Sequence, residues 1–237
     1  MEESIFFKDN YEFVVFGYQH FLVLLFFTLV GVALIKYGLK STKEAQINTG
    51  NYIAYFISLS VIIWTIYKFF SGNFDVTNDL PFQLCYFLGL VIPVLTRTRK
   101  QLYYEILLFW VFAGTFQAIL TPEMRNGFPH VHFFYFWIVH CGLIITMFYA
   151  TFVYRMRPKL KSTFISFIAL QGYFVFVSII NKFTSANYFY LNAKPNAPSV
   201  LDFLGDWPNY ILMAELLLIP YFLIIYLPFH LSAKKIK

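Results

Sequence analysis

Charge is scarce in this chain. Asp, Glu, Lys and Arg make up 13% of its 237 residues, where a soluble domain carries roughly 25%. Cysteine is nearly absent. Cys85 and Cys141 are the only two, which excludes a disulfide-stapled scaffold. A basic patch is also missing. The net charge of +6 is scattered in short clusters between apolar runs, which argues against a soluble nucleic-acid binder. What the chain does have is apolar and aromatic bulk: 59% hydrophobic residues, 31 Phe and 18 Tyr, with a mean hydropathy of +0.62. Disorder is excluded at that hydrophobicity. So many large rings cannot hide in one soluble core, and the class that remains is a polytopic membrane protein.

A spanning helix needs about 20 mostly apolar residues, because each adds about 1.5 Å across a hydrocarbon layer of roughly 30 Å. Seven stretches qualify: Phe13–Ile35, Tyr52–Phe70, Leu80–Thr96, Leu102–Leu120, His132–Tyr154, Thr163–Asn181 and Tyr210–Leu231. The expectation is an all-α, seven-helix membrane protein forming a single integral membrane domain over residues 1–237. The third stretch is the shortest and contains Pro81 and Pro93. Pro81 suits a first helical turn, and Pro93 is expected to kink the last one.

Lys and Arg set the expected orientation. Thirteen of the 18 fall after the first, third and fifth stretches and in the C-terminal tail. The other five are Lys8, Lys68, Arg125, Lys182 and Lys194. The positive-inside rule then places the N-terminus outside and the C-terminus in the cytoplasm. The start, MEESIFFKDNYE, is acidic and lacks the basic region of a cleavable signal peptide. A bacterial cytoplasmic membrane is the expected location.

Polar side chains at membrane depth are costly, so their placement carries information. His20, Gln83, Cys85, Gln117, His132, His140, Asn181 and Glu215 all fall in the outer halves of their stretches. His140 sits about 12 Å below His132. The inner half is mostly Phe, Leu, Ile and Val, with Glu105 near its edge. Two readings explain this asymmetry: a polar cavity open to the outer leaflet, or interhelical hydrogen bonds that hold the bundle together.

Cys85 lies near the N-terminus of the third stretch, where the helix dipole favours a negative charge. His140, at similar depth, is placed to take a thiol proton if the third and fifth helices touch, with Glu215 or Gln117 to orient the ring. Taken alone, a cysteine is better explained by packing, and a Cys85–Cys141 disulfide is a further alternative. His130, His132 and His140 form only a weak metal pattern, and no metal or cofactor is expected. Lys194 is the sole basic residue of the long outer segment Asn187–Tyr210. That segment reads either as a lid at headgroup level, with Lys194 near a lipid phosphate, or as an ordinary packed loop. A retinal protein is excluded, because Tyr210–Leu231 contains no lysine for a Schiff base.

Three motifs carry a resemblance: DLPFQLCYF (Asp79–Phe87), HVHFFYFWIVHCG (His130–Gly142) and NYFYLNAKPNAPSVLDFLGDWP (Asn187–Pro208). They resemble the YwaF-like bacterial integral membrane proteins, which are related to the animal transmembrane-protein-164 family. The resemblance implies a membrane acyltransferase that moves fatty acyl chains between lipids, with Cys85 as acyl acceptor and His140 as general base. It implies membrane phospholipids as substrates. His20, Gln83, Gln117, His132, Asn181, Lys194 and Glu215 are then supporting or substrate-binding candidates. The competing reading is a non-enzymatic transporter or lipid-binding protein using the same cavity.

Overall fold

A computed structural model of the chain describes residues 4–7, 12–72, 74–195 and 199–234. Lys8, Lys235 and Lys237 of the charge pattern lie outside the described residues, as does 196–198 of the long outer segment. Among the described residues the regular structure is helical, apart from an antiparallel bridge between Glu12 and Asn126. The elements are α1 (Tyr18–Lys40), α2 (Lys43–Phe70), α3 (Leu84–Thr98), α4 (Gln101–Trp110), a π-helical turn (Val111–Thr115), α5 (Phe116–Leu120), α6 (Val131–Phe152), α7 (Leu160–Thr184), two short 3-10 helices (Tyr188–Tyr190 and Val200–Leu204) and α8 (Asn209–Lys234). Taking residues 101–120 as one helix, six among the described residues are long and apolar enough to cross a membrane, and α3 has only 15 residues. The protein is a polytopic helical membrane protein.

The apolar α6 is the hub. It packs against α1, α2, α3 and α4, and most of its residues are buried, as expected of a helix that is hydrophobic all round. Two glycines let α2 approach closely, since a Cβ on Gly142 would meet Ile57 at 2.7 Å and one on Gly89 would meet Val61 at 2.9 Å. Small residues at crossings allow this contact where the hydrophobic effect drives little helix association. The outer helices α1, α2, α7 and α8 turn Phe, Leu and Ile outward, the surface a lipid environment requires.

The junctions that carry the basic clusters sit together at one end. Tyr154 Oη donates to the Gln46 carbonyl at 3.4 Å, and Gln101 Nε2 donates to the Arg157 carbonyl at 2.6 Å. The opposite end holds residues 71–72, 74–83, 121–130, 185–195 and 199–208.

Several helix limits differ from the sequence expectation. α1 begins at Tyr18 rather than Phe13, because Phe13 donates its N–H to the Arg125 carbonyl at 2.8 Å and inserts into an aromatic cluster with Phe133 and Trp137. α2 begins at Lys43, nine residues before Tyr52. Thr42 caps it by accepting from the Ala45 N–H at 3.3 Å, a polar helix start that a hydropathy count passes over.

The largest difference is at α3, which starts at Leu84 and not at Leu80. Pro81 therefore precedes the helix instead of opening it. The segment is held by tyrosines: Leu80 donates its N–H to Tyr188 Oη at 3.0 Å, and the Phe82 carbonyl accepts from Tyr173 Oη at 2.7 Å. Side chains thus satisfy the backbone where a helix otherwise would, which permits irregular chain inside a membrane bundle. The helix runs on through Pro93 to Thr98.

Candidate functional site

The late start of α3 makes Cys85 its second residue. The first N–H groups of a helix have no intrahelical partner, so Cys85 sits where the backbone favours negative charge. α3 packs directly on α6. Cys85 and His140 line the same cavity of about 710 Å3, which lies among the α3 start, the π-helical turn, α5, α6, residues 189–190, 195 and 199–204, and α8. Its lining is mostly apolar. Gly114 and Ala118 keep one wall thin, while Leu217 and Ile224 on the outward-facing side of α8 border another.

His140 is 4% exposed. Its Nδ1 lies 2.7 Å from the Phe136 carbonyl one turn earlier in α6. A carbonyl only accepts, so Nδ1 carries the proton and Nε2 holds the lone pair. The ring stacks on Phe136 at 3.9 Å and meets the edge of Tyr86 at 5.9 Å. The Phe136 carbonyl therefore orients the imidazole, a role the sequence had offered to Glu215 or Gln117.

Thr115 completes the nucleophile's surroundings. It is fully buried at the end of the π-helical turn, and its hydroxyl donates to Cys85 Sγ at 3.6 Å. A π turn interrupts the regular 3.6-residue register and re-aims the side chains around it. Sequence periodicity carries no signal for such a turn. The one hint was the run of small residues Ala113, Gly114 and Thr115 amid Phe, Trp and Val.

Gln83 and Gln117 also line the cavity. Gln83 accepts the Phe189 N–H through Oε1 at 3.0 Å, which leaves its Nε2 as the donor end. Gln117 Nε2 donates to Thr121 Oγ1 at 3.3 Å. The roof comes from residues 189–190, 195 and 199–204. Phe189 and Tyr190 both have left-handed backbone, φ 59° and 53°, a costly conformation for bulky residues. It is held by Tyr210 Oη, which donates to the Tyr190 carbonyl at 2.5 Å, and by Trp207 Nε1, which donates to the Leu191 carbonyl at 3.0 Å. Tyr190 Oη donates to Glu123 at 2.6 Å. Burial, and then the neighbouring carboxylate, hold the Tyr190 phenol well above its ordinary range.

The other candidates lie elsewhere. His20 is buried between α1 and α5. Its Nδ1 accepts from the Phe16 N–H at 3.0 Å and its Nε2 donates to the Ile119 carbonyl at 2.9 Å. Both nitrogens are occupied, so the ring ties two segments together. His132 lies on the far side of Tyr86, against Trp64 and Tyr135. Asn181 embraces Tyr188, donating to its carbonyl and accepting from its N–H, each at 2.9 Å. Lys194 pairs with Asp206 at 3.5 Å inside the loop. Glu215 accepts from Gln171 Nε2 at 2.7 Å and joins α7 to α8. Cys141 packs in the cluster of Phe13 and Trp137, and both cysteines are free thiols. Among the described residues no three His, Cys, Asp or Glu side chains converge as a metal site.

Comparison with known proteins bears on the whole chain. A Treponema pallidum (strain Nichols) protein, described as an uncharacterized protein, is 26% identical over 158 residues, covering 65% of this chain and 64% of that protein. This chain thus spans less than two thirds of that relative's length. No solved structure matches. The TMEM164 family profile matches residues 15–226, nearly the full membrane bundle. The chain belongs to the TMEM164 family.

Proposed function

We propose that this protein is an integral membrane acyltransferase that moves fatty acyl chains between lipids, with Cys85 as acyl acceptor and His140 as general base. The observation that carries the reading is the shared cavity: a cysteine at a helix start and a histidine with its Nε2 lone pair available line one apolar chamber. A volume of about 710 Å3 falls within the range of small-ligand sites, about 300–1,000 Å3. The exposed Leu217 and Ile224 at its edge suit entry of a chain sideways from the hydrocarbon layer.

The chemistry balances with protein groups alone. Cys85 Sγ attacks the ester carbonyl carbon as His140 Nε2 takes the thiol proton. The developing oxyanion lies near the free N–H groups of the α3 start and the Gln83 amide, donors of the kind whose loss typically slows such steps about 100-fold or more. The carbon–oxygen bond then breaks, and the leaving alcohol, a lysolipid, takes the proton back from His140. In the second half the hydroxyl of an acceptor lysolipid gives its proton to His140 and attacks the thioester. Sγ leaves and recovers that proton. Water in place of the acceptor gives a free fatty acid.

The site lies toward the end away from the basic clusters. With the positive-inside rule, this supports chemistry in the outer half of a bacterial cytoplasmic membrane and an N-terminus outside. The test is the covalent intermediate. After incubation with a phospholipid carrying an isotope-labelled acyl chain, intact-mass and peptide analysis should find the label on Cys85 and lose it with hydroxylamine. Absence of label under turnover conditions, with the His140→Ala protein equally unlabelled, would remove the thioester mechanism.

A further inference from the structure

Tyr86 has a second cavity behind it. This one is about 380 Å3 and polar where the first is apolar. Trp64, Lys68, Asp79, Tyr86, His132 and Tyr135 are among its walls. Lys68 Nζ and an Asp79 carboxylate oxygen stand 3.4 Å apart, with the side chains 26% and 13% exposed. Trp64 stacks on Tyr135 at 5.0 Å, and Tyr135 stacks on Tyr86 at 5.0 Å. The result is a flat aromatic wall beside one positive and one negative group.

We propose that this cavity binds the zwitterionic headgroup, a phosphate joined to an ammonium, of the lipid whose acyl ester reaches Cys85. The proposal rests on the acyl-transfer reading and names the headgroup subsite of that same site. Two observations carry it. The cavity holds a charge of each sign, so a lone anion meets Asp79 and a lone cation meets Lys68. A phosphate–ammonium group satisfies both, with phosphate oxygens accepting from Lys68 and the ammonium donating to Asp79 across the aromatic faces. Finally, Tyr86 lines both cavities and directly follows Cys85. A glycerophospholipid separates its phosphate from its ester carbonyls by only the glycerol, so one molecule can place its head on one side of Tyr86 and its ester on the other.

The experiment measures binding apart from chemistry. Full-length Cys85→Ala protein is purified in detergent and offered equimolar phosphatidylethanolamine and phosphatidylglycerol, and native mass spectrometry counts the retained lipids. The zwitterion should be retained in excess. Adding Asp79→Asn removes the ammonium's partner while keeping an acceptor for the Asp75 N–H, which bonds Asp79 at 2.8 Å. The ethanolamine-to-glycerol ratio should then fall about tenfold, the worth of one hydrogen bond to a charged group. Lys68→Gln should lower retention of both lipids and keep the ratio above one. An unchanged ratio in Asp79→Asn, or unchanged retention in Lys68→Gln, overturns the assignment. So does phosphatidylglycerol retained as well as phosphatidylethanolamine by the parent protein. A third arm offers water-soluble glycerophosphoethanolamine, and binding as tight as the lipid's would assign the cavity to a soluble ligand instead. Because Cys85 is absent throughout, failure of acyl transfer leaves these ratios untouched.

Discussion

Replacing Thr115 by Val tests the nucleophile's surroundings directly. The two side chains are nearly isosteric, Thr115 is fully buried, and its hydroxyl donates to Cys85 Sγ at 3.6 Å. The packing of the π-helical turn is kept and one donor is lost. A hydrogen bond to a charged group is worth about 1.5–3 kcal/mol. The low end fits a soft sulfur acceptor, and it corresponds to a thiolate fraction about tenfold smaller. A more basic thiolate is also more nucleophilic, with a Brønsted slope of about 0.5, which returns about threefold. The net expectation is alkylation of Cys85 about threefold slower in Thr115→Val. The assay uses a membrane-permeant maleimide on Cys141→Ala protein, so that Cys85 is the only thiol, across a pH series. The difference should shrink as the pH rises and reverse once ionisation is complete, when the more basic thiolate of Thr115→Val reacts about threefold faster, and Thr115→Ser should restore the wild-type profile. Equal rates for the Val and Thr proteins throughout the series would refute a role for Thr115 at the sulfur.

Asn181→Ala should strip both partners from the buried Tyr188 backbone groups, each held at 2.9 Å. The cost is about 2–4 kcal/mol, two unsatisfied groups at about 1–2 each, and should be seen as a lower melting temperature and faster proteolysis in segment 185–208. Tyr173→Phe should leave the Phe82 carbonyl unpaired and lower thermal stability by about 1–3 kcal/mol; an unchanged melting temperature would mean that another group satisfies this carbonyl. Asp75 gives a pH prediction. Hydrogen bonds from the Thr77 side chain and N–H, and from Asn78, hold its carboxyl below the ordinary carboxylate range. The folded state thus favours the ionised form, so its contribution to the 75–79 turn is present above the ordinary range and lost as pH falls through the lowered value. Carboxyl NMR of Thr77→Val should show the Asp75 midpoint moving up, and an unmoved midpoint would remove Thr77 as its cause.

How much of this was legible in the sequence varies from element to element. The apolar runs announced the membrane bundle, because a helix in hydrocarbon satisfies its own backbone and hydropathy alone marks it. The limits were less legible where tertiary hydrogen bonds replace helical ones. Leu80–Gln83 reads as apolar helix but is held as a turn by Tyr173 and Tyr188, more than 90 residues away. Residue type and depth make Cys85 and His140 candidates, the family resemblance makes them the favoured pair, and both line one cavity. Gln83 and Gln117 joined them there. His20, at a similar expected depth, is turned elsewhere by one local bond, to Phe16, and one across the fold, to Ile119. Depth along a helix is a sequence quantity, but the direction a side chain faces depends on neighbours that the chain brings in from far away. Thr115 was invisible for the same reason, since its aim depends on a π turn. The Lys68–Asp79 pair, which lies across two segments, became a feature only once the 74–83 segment folded back on α2.

The central claim is acyl transfer through Cys85, and reconstituted acyl exchange tests it most directly. Wild-type, Cys85→Ala and His140→Ala proteins are placed in liposomes with a phospholipid labelled in one acyl chain and an unlabelled lysolipid acceptor. Mass spectrometry then follows the label. The account predicts label moving to the acceptor in the wild type and no movement in either variant. Movement undiminished in Cys85→Ala, or no movement in the wild type across several headgroups and acceptors, would contradict it.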